Sequence, residues 1–171
     1  MGLLNTARDI FFYQLGAMRD AEHSGGLLLA TLADRVADPR IAELLREQAQ
    51  ESNNALGGVA ACLEELQIAP ISRRSEIVEG MLREFEHIVA LKPTPESMAL
   101  FAVAAALQYL YFAIGTYQGL LDWTEIIGEK TCHRWATASL SAKQGGAERL
   151  AQAGRELSHT MFTTSPGARS S

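Results

Sequence analysis

The strongest constraint on the fold is an uncharged run of twenty-five residues, from Ser97 to Leu121. As an α-helix that rises about 1.5 Å per residue, this run would be roughly 37 Å long, enough to cross a bilayer or to pass through a large helical protein. Basic residues typically flank a membrane span, but Glu96 precedes this run and Asp122 follows it. A helix that is apolar nearly all round is also typical of a protein core. We therefore expect a buried central helix and no membrane association.

The composition predicts a single cytoplasmic domain that does not bind nucleic acid. The chain has 171 residues, a length that suits one domain with its own core. Its net charge of −5 means that acidic residues outnumber Lys and Arg, whereas nucleic-acid binding requires an excess of Lys and Arg. The two cysteines form no disulfide framework, which is typical of a reducing compartment. No secretory leader opens the chain, and Gly2 with Thr6 fits only the short myristoylation pattern, which often occurs by chance.

Prolines separate five segments with helical periodicity, which predicts an all-α chain. Asp38-Pro39 and Thr94-Pro95 are typical pairs of an N-cap and a first helical residue, and Gly128 separates the last two segments. The third helix is expected to be shorter than the other four. The predicted helices cover about 6–36, 39–66, 75–91, 95–127 and 129–161.

The order of these helices favours a ferritin-like four-helix bundle. Long helices joined by short loops pack antiparallel, so the chain contains two helical hairpins. The short third helix and its linkers can carry the chain back along the bundle as a crossover between them. We expect this bundle to span residues 1–162, and residues 163–171 to form a disordered tail.

A charged cluster is predicted inside the bundle. Glu22 and Glu51 each interrupt an apolar stripe, and they lie at the same height on either side of the first hairpin loop. Paired carboxylates at one level are typical of a di-metal bundle, which also needs a Glu-x-x-His pair from each of the other two helices. At the corresponding height the other hairpin offers Ala113 and Lys143. The sequence therefore predicts a Glu22–Lys143–Glu51 cluster where a metal pair would lie. In the alternative interpretation, helix rotation places one or more of the three in water.

Two further patterns need an interpretation. The strings Glu84-x-x-His87 and Glu156-x-x-His159 are interpreted as exposed surface pairs, because neither lies at the height of the predicted cluster. Three Gly-Gly pairs interrupt predicted helices even though each glycine costs about 1 kcal/mol relative to alanine. They indicate either a close approach of a bulky neighbour or a cavity that admits a small ligand.

The chain resembles the YciE/YciF-type ferritin-like proteins of bacteria over about residues 7–157. Short motifs in a fixed order carry this resemblance: Asp20-Ala21-Glu22 after Phe12 and Leu15, Glu51-Ser52, Val78-Glu79-Gly80-Met81-Leu82, Ile114 to Tyr117, and Glu148-Arg149-Leu150. The resemblance implies a ferritin-like bundle that is commonly a homodimer, formed here through helical faces. It also implies a link to stress responses.

The resemblance further implies a di-metal carboxylate site with ligands from all four long helices. Glu22 and Glu51 match two of these ligands. The family's last-helix glutamate falls on Lys143, and the histidine before its second-helix glutamate falls on Gln48. Its Glu-His-Tyr-Glu run in the fourth helix falls on Leu110, Tyr111, Phe112 and Ala113. Half of the ligand set is therefore missing from this chain.

We predict a non-catalytic bundle without a resident cofactor. One alternative is an iron- or manganese-binding oxidase or storage protein that uses Glu22 and Glu51 with water. Another is a protein that binds a small molecule in a glycine-lined cavity between the helices.

Overall fold

The computed structural model describes residues 4–69 and 75–164, and every regular element in those residues is an α-helix. The all-α prediction is therefore confirmed for this part of the chain. Gly2 and residues 165–171 of the predicted tail lie outside the described residues. The helices are α1 (Ala7–Arg35), α2 (Pro39–Glu65), α3 (Glu76–Ala90), α4 (Pro95–Ile127) and α5 (Lys130–Thr164).

Local side-chain hydrogen bonds determine where the helices begin. The Thr6 hydroxyl accepts from the Asp9 N–H at 3.1 Å, and the Asp9 carboxylate accepts from the Thr6 N–H at 2.9 Å. This reciprocal capping box satisfies two N–H groups that a helix start leaves without partners. Asp38 caps α2 ahead of Pro39, and Thr94 caps α4. The predicted starts of α2 and α4 are thus confirmed.

Gly128 ends α4 and turns the chain into α5. Its φ of 76° lies in the left-handed region, which glycine adopts without the steric cost of a Cβ. The Gly128 N–H donates to the Glu125 carbonyl at 3.3 Å, and the Glu129 N–H donates to the Thr124 carbonyl at 3.0 Å. These bonds satisfy carbonyls at the helix end. Because α5 begins two residues later, α4 and α5 pack against each other as neighbours.

The four long helices pack in a ring. Helix α1 contacts α2 and α4, and α5 contacts the same two helices from the other side. The short helix α3 packs against α1 and α4. Residues from all four long helices therefore reach one shared core, whose middle is the place where buried charges would have to meet.

Helix α4 contains the uncharged run and is the core helix. Within the described residues it is the one helix that is long and apolar enough to cross a membrane, with a mean hydropathy of 1.8 in its most apolar window. However, 56% of that window is buried inside the protein. Tyr109, Leu110, Ala113 and Tyr117 are all fully buried. The uncharged run is therefore explained by packing against α1, α3 and α5.

Two of the Gly-Gly pairs let a large side chain lie against a helix backbone. A Cβ at Gly25 would be 2.0 Å from Cζ of Tyr109, and a Cβ at Gly58 would be 2.0 Å from Cδ1 of Trp135. Both distances are far inside van der Waals contact, so only glycine fits at these positions. At Gly57, the residue before Gly58, a Cβ would meet open space instead. The interpretation of close helix approach is confirmed here, because aromatic rings fill the space that a ligand would need.

Candidate functional site

A buried carboxylate lies at the centre of the ring. Glu22, in the middle of α1, is 0% exposed. Its Oε1 accepts a hydrogen bond from the Tyr117 hydroxyl at 2.7 Å. Its Oε2 accepts from the Tyr109 hydroxyl at 2.7 Å and from the Lys143 ammonium at 2.8 Å. Charge-assisted hydrogen bonds of this length are among the strong ones, so three donors hold this anion in place.

Lys143 of α5 brings the opposite charge to the same point. It is 1% exposed, and its Nζ also donates to Oγ of Ser52 at 2.6 Å. The same Nζ lies 5.1 Å from the centroid of the Tyr109 ring, within the range of a cation–π contact. Oγ of Ser52 and the Tyr109 hydroxyl are 3.2 Å apart. Each of the four long helices thus contributes to one network, which we call the Glu22–Lys143 network: Glu22, Ser52, Tyr109, Tyr117 and Lys143.

The electrostatics of the network follow from its burial. Loss of hydration lowers the pKa of Lys143, although the attraction of Glu22 acts in the opposite direction. Burial and the Glu22 charge both raise the pKa of Tyr109 and of Tyr117. The two phenols therefore stay protonated at neutral pH and act as donors. Without these donors the carboxylate would be strongly unfavourable in the core.

Glu51 does not complete the predicted cluster. The structure brings Glu22 and Lys143 together, but Glu51 is only half-buried. It acts on Lys143 through charge attraction without a hydrogen bond. Ser52, the next residue, occupies the inward position instead. Successive helical residues are about 100° apart around the axis, so Glu51 and Ser52 cannot both point into the core.

Tyr109 and Tyr117 are network members that the sequence interpretation missed. They are eight residues apart, a spacing that places both hydroxyls on one face of α4. A buried tyrosine hydroxyl generally needs a hydrogen-bond partner, so two tyrosines within the uncharged run of α4 were the available signal. The positions 110–113 singled out by the resemblance are mixed, since Tyr111 is 60% exposed and Ala113 is fully buried.

The donor set does not fit a metal pair. Both oxygens of Glu22 are already hydrogen-bonded, and the Lys143 ammonium lies beside the carboxylate where a cation would bind. A di-metal site in such a fold needs several carboxylates and imidazoles around the ions. Among the described residues, no three His, Cys, Asp or Glu side chains are grouped so that they could hold an ion.

The two Glu-x-x-His strings lie on the surface, as predicted. Glu84 and His87 are exposed on α3. Glu156 and His159 are exposed on α5, and the Glu156 carboxylate accepts hydrogen bonds from Arg40 and Gln152. Neither string is oriented toward the network.

Gln48 lies beside the network on α2, one turn before Ser52. It is 1% exposed, and its amide nitrogen and oxygen have no hydrogen-bond partner within the described part of the chain. A Cβ at Gly146 would be 2.1 Å from its Oε1, so the third Gly-Gly pair also makes room for a large side chain. An unsatisfied buried amide costs about 1–3 kcal/mol.

A small cavity reaches the network between α2 and α5. Its volume is about 140 Å³, and the floor includes Lys143. Small side chains leave the space, since alanines form much of the wall. The lining residues are Glu51, Asn54, Ala55, Trp135, Ala138, Ser139, Ala142 and Lys143.

Solved structures with the same fold were found by comparison. The E. coli stress protein YciF matches with a TM-score of 0.85 at 17% identity, over 91% of this chain and 98% of that chain. YcfI from Rhodopseudomonas palustris matches with a TM-score of 0.81 at 17% identity, over 86% and 94%. A protein from Xanthomonas campestris matches with a TM-score of 0.76 at 16% identity, over 92% and 97%. These likenesses establish a shared fold.

Sequence comparison identifies the family directly. No curated protein is significantly similar to the chain. A family model described as "Domain of unknown function (DUF892)" matches residues 6–161, nearly the whole chain. Together with the YciF structure, this match confirms the resemblance to YciE/YciF-type proteins. The chain is therefore a member of the DUF892 family.

Proposed function

We propose that this chain is a non-catalytic, cytoplasmic, ferritin-like bundle protein with a role in stress responses, in which Lys143 takes the place of a metal pair. The observation that carries the proposal is the Lys143–Glu22 contact of 2.8 Å, between side chains that are 1% and 0% exposed. The short helix α3 would serve as the crossover between the two hairpins, as in ferritin-like bundles. A relative with this fold, E. coli YciF, is described as a stress protein.

The bonding within the network supports a structural role. A di-metal oxidase needs open coordination positions at which oxygen or water can bind. In the Glu22–Lys143 network the carboxylate has three donors, and the ammonium has two acceptors. The network holds α1, α2, α4 and α5 in one register, and such buried polar contacts favour one packing arrangement over its alternatives.

Metal analysis tests this proposal. The chain is purified without a chelator, analysed for iron and manganese, and assayed for ferrous iron oxidation. We expect both metals far below one per chain and an oxidation rate equal to that of buffer. Stoichiometric iron or manganese, with turnover that Glu22→Ala abolishes, would favour the alternative of an oxidase or storage protein.

Small-molecule binding is a second candidate, and the cavity between α2 and α5 supports it. The glycines do not line that cavity, so the site differs from the one expected from the Gly-Gly pairs. Native mass spectrometry of the purified chain tests for a bound molecule. A single non-protein mass that Ala138→Leu removes would support this function, and a chain that carries only solvent would contradict it.

We also propose a homodimer formed through the outer face of α4. That face is uncharged: Ala104, Gln108, Tyr111, Gly115 and Gln118 are exposed. Pairing such faces would not remove charges from water, which favours association. Sedimentation analysis should give a dimer that Tyr111→Glu weakens. A monomer at high micromolar concentration would contradict the dimer.

A further inference from the structure

The two cysteines of the chain lie outside the Glu22–Lys143 network. Both are free thiols, and Cys62 and Cys132 are 0% and 1% exposed. Cys62 lies in the last turn of α2, and Cys132 is the third residue of α5. Both therefore lie at the same end of the ring, where one helix finishes and another begins.

The register of α2 against α5 places the two sulfurs opposite each other. Trp135 fixes this register, because its Nε1 donates to the Ala55 carbonyl at 2.9 Å and its ring covers the backbone of Gly58. Cys62 is four residues beyond Gly58, and Cys132 is three residues before Trp135. The Lys143–Ser52 bond lies further along α5 and earlier along α2 than these contacts, so the two helices run antiparallel and both steps move one turn toward the same end. The two buried thiols therefore lie at the same height on α2 and α5.

The two thiols influence each other's ionisation. Their interaction raises the pKa of Cys62 and lowers the pKa of Cys132, whereas burial and the charges of Glu65 and Glu129 raise the pKa of both. The thiolate is the form of cysteine that reacts with oxidants. A sulfenic acid that forms on one sulfur has the second thiol beside it, which can resolve it into a disulfide.

We propose that Cys62 and Cys132 form an oxidisable dithiol, which a hydroperoxide converts into an intramolecular disulfide between α2 and α5. In the first step one cysteine sulfur attacks a peroxide oxygen, the O–O bond breaks, and the products are one water and a sulfenic acid. In the second step the other cysteine sulfur attacks the sulfenic sulfur, the S–S bond forms, and the second water leaves. The two thiols lose two electrons and two protons, which reduce the peroxide to two waters.

The position of the pair at the end of two helices gives a small oxidant a route to it. Terminal helical turns open locally more easily than central ones, so the buried sulfurs become accessible without unfolding of the core. The disulfide would close a loop that contains all of α3 and α4. A loop of that length strongly restricts the unfolded chain. The modification thus makes the fold more stable under oxidising conditions, independently of whether a metal binds.

Titration with hydrogen peroxide tests the proposal on the full chain. The protein is reduced, freed of reductant and treated with hydrogen peroxide at near-stoichiometric ratios. We expect free thiols, counted in denaturant, to fall from two to none per chain, with loss of the mass of two hydrogen atoms. The melting temperature should rise by about 5–15 °C and return after reduction. Retention of both thiols, addition of oxygen without loss of hydrogen, or disulfides only between chains would overturn the proposal.

Single variants test the roles of the two sulfurs. With Cys62→Ala or Cys132→Ala, peroxide should leave a sulfenic acid on the remaining cysteine that dimedone traps, because the resolving thiol is missing. The absence of a dimedone adduct in both variants, at peroxide ratios that oxidise the wild-type chain, would overturn the sulfenic acid step. If a variant does not fold, the intact mass of the oxidised wild-type chain still decides whether the disulfide forms.

Discussion

Two ion pairs of nearly equal length join α5 to other helices, yet they lie in opposite environments. Lys143 and Glu22 are 2.8 Å apart at the centre of the ring, with side chains that are 1% and 0% exposed. Arg149 and Glu47 are 3.0 Å apart on the outer seam between α5 and α2, with exposures of 54% and 47%. The distance between two charges therefore says little about how much the ion pair contributes to the stability of the fold. Burial determines what is lost when one partner is removed.

The physical reason is hydration. When the outer pair breaks, both charges return to water, so an exposed pair contributes only about 0–1 kcal/mol. When Lys143 is removed, Glu22 stays in the core with its charge uncompensated. The inner pair therefore holds the fold together even though its formation also costs hydration. Substitutions at matched buried and exposed positions test whether burial determines these losses.

The largest expected effect is that of Lys143→Ala. We expect the free energy of unfolding to fall by about 3–5 kcal/mol, because a buried carboxylate loses its cation. Arg149→Ala is the matched control and should cost less than about 1 kcal/mol. Denaturant unfolding measures both variants. Equal losses at the two positions would show that burial does not distinguish the pairs.

Removal of both charges should cost less than removal of the lysine alone. In the double variant Glu22→Gln with Lys143→Met, the amide oxygen still accepts from a buried tyrosine, and no net charge remains in the core. We expect this variant to be about 2 kcal/mol more stable than Lys143→Met. A complete double-mutant cycle measures the coupling. Additive effects of the two single changes would mean that these residues do not act as a pair.

The same contrast between inner and outer faces predicts opposite effects for adjacent glycines. Gly58→Ala should destabilise the fold by about 1–3 kcal/mol, because its Cβ would overlap the ring of Trp135. Gly57→Ala should stabilise it by about 0.5–1 kcal/mol, because that position is open and alanine favours a helix. Thermal melting of both variants checks the signs. Stabilisation by Gly58→Ala would show that the helices are further apart than described.

The burial of the two phenols predicts a further effect at alkaline pH. The raised pKa values of Tyr109 and Tyr117 mean that the folded chain keeps phenol protons that the unfolded chain loses above about pH 10. Their contribution to stability is therefore fully present below pH 10 and is lost as the pH rises further. Lys143, with its lowered pKa, acts in the opposite direction, but only below about pH 10.5.

Unfolding free energies measured between pH 9 and 12 test this dependence. Tyr109→Phe should reduce the alkaline loss of stability, and Tyr111→Phe, at an exposed position of the same helix, should leave it unchanged. An identical slope in the wild-type chain and in Tyr109→Phe would contradict the role given to the buried phenol.

These comparisons also explain what could be predicted from the sequence. The caps at Asp38-Pro39 and Thr94-Pro95 are local signals, so the starts of α2 and α4 were predictable. The lack of charge between residues 97 and 121 is also a local signal, so the core helix was predictable as well. The family, too, was recognisable from short motifs in a fixed order.

The details of the network were not predictable in this way. The choice between Glu51 and Ser52 depends on the rotation of α2, which helical periodicity does not fix more finely than the 100° between neighbours. Which glycine of each pair receives a large side chain depends on the register between helices that are distant in sequence. The partners of Tyr109 and Tyr117 depend on the same tertiary arrangement.

The most direct test of the central claim is anomalous diffraction from crystals grown with excess ferrous iron or manganese. We predict no anomalous peak beside Glu22, and electron density for Lys143 Nζ within hydrogen-bond distance of the carboxylate, about 3 Å. A metal peak between Glu22 and Glu51, with the Lys143 side chain displaced from the core, would contradict the claim that an ammonium has taken the place of the metal pair.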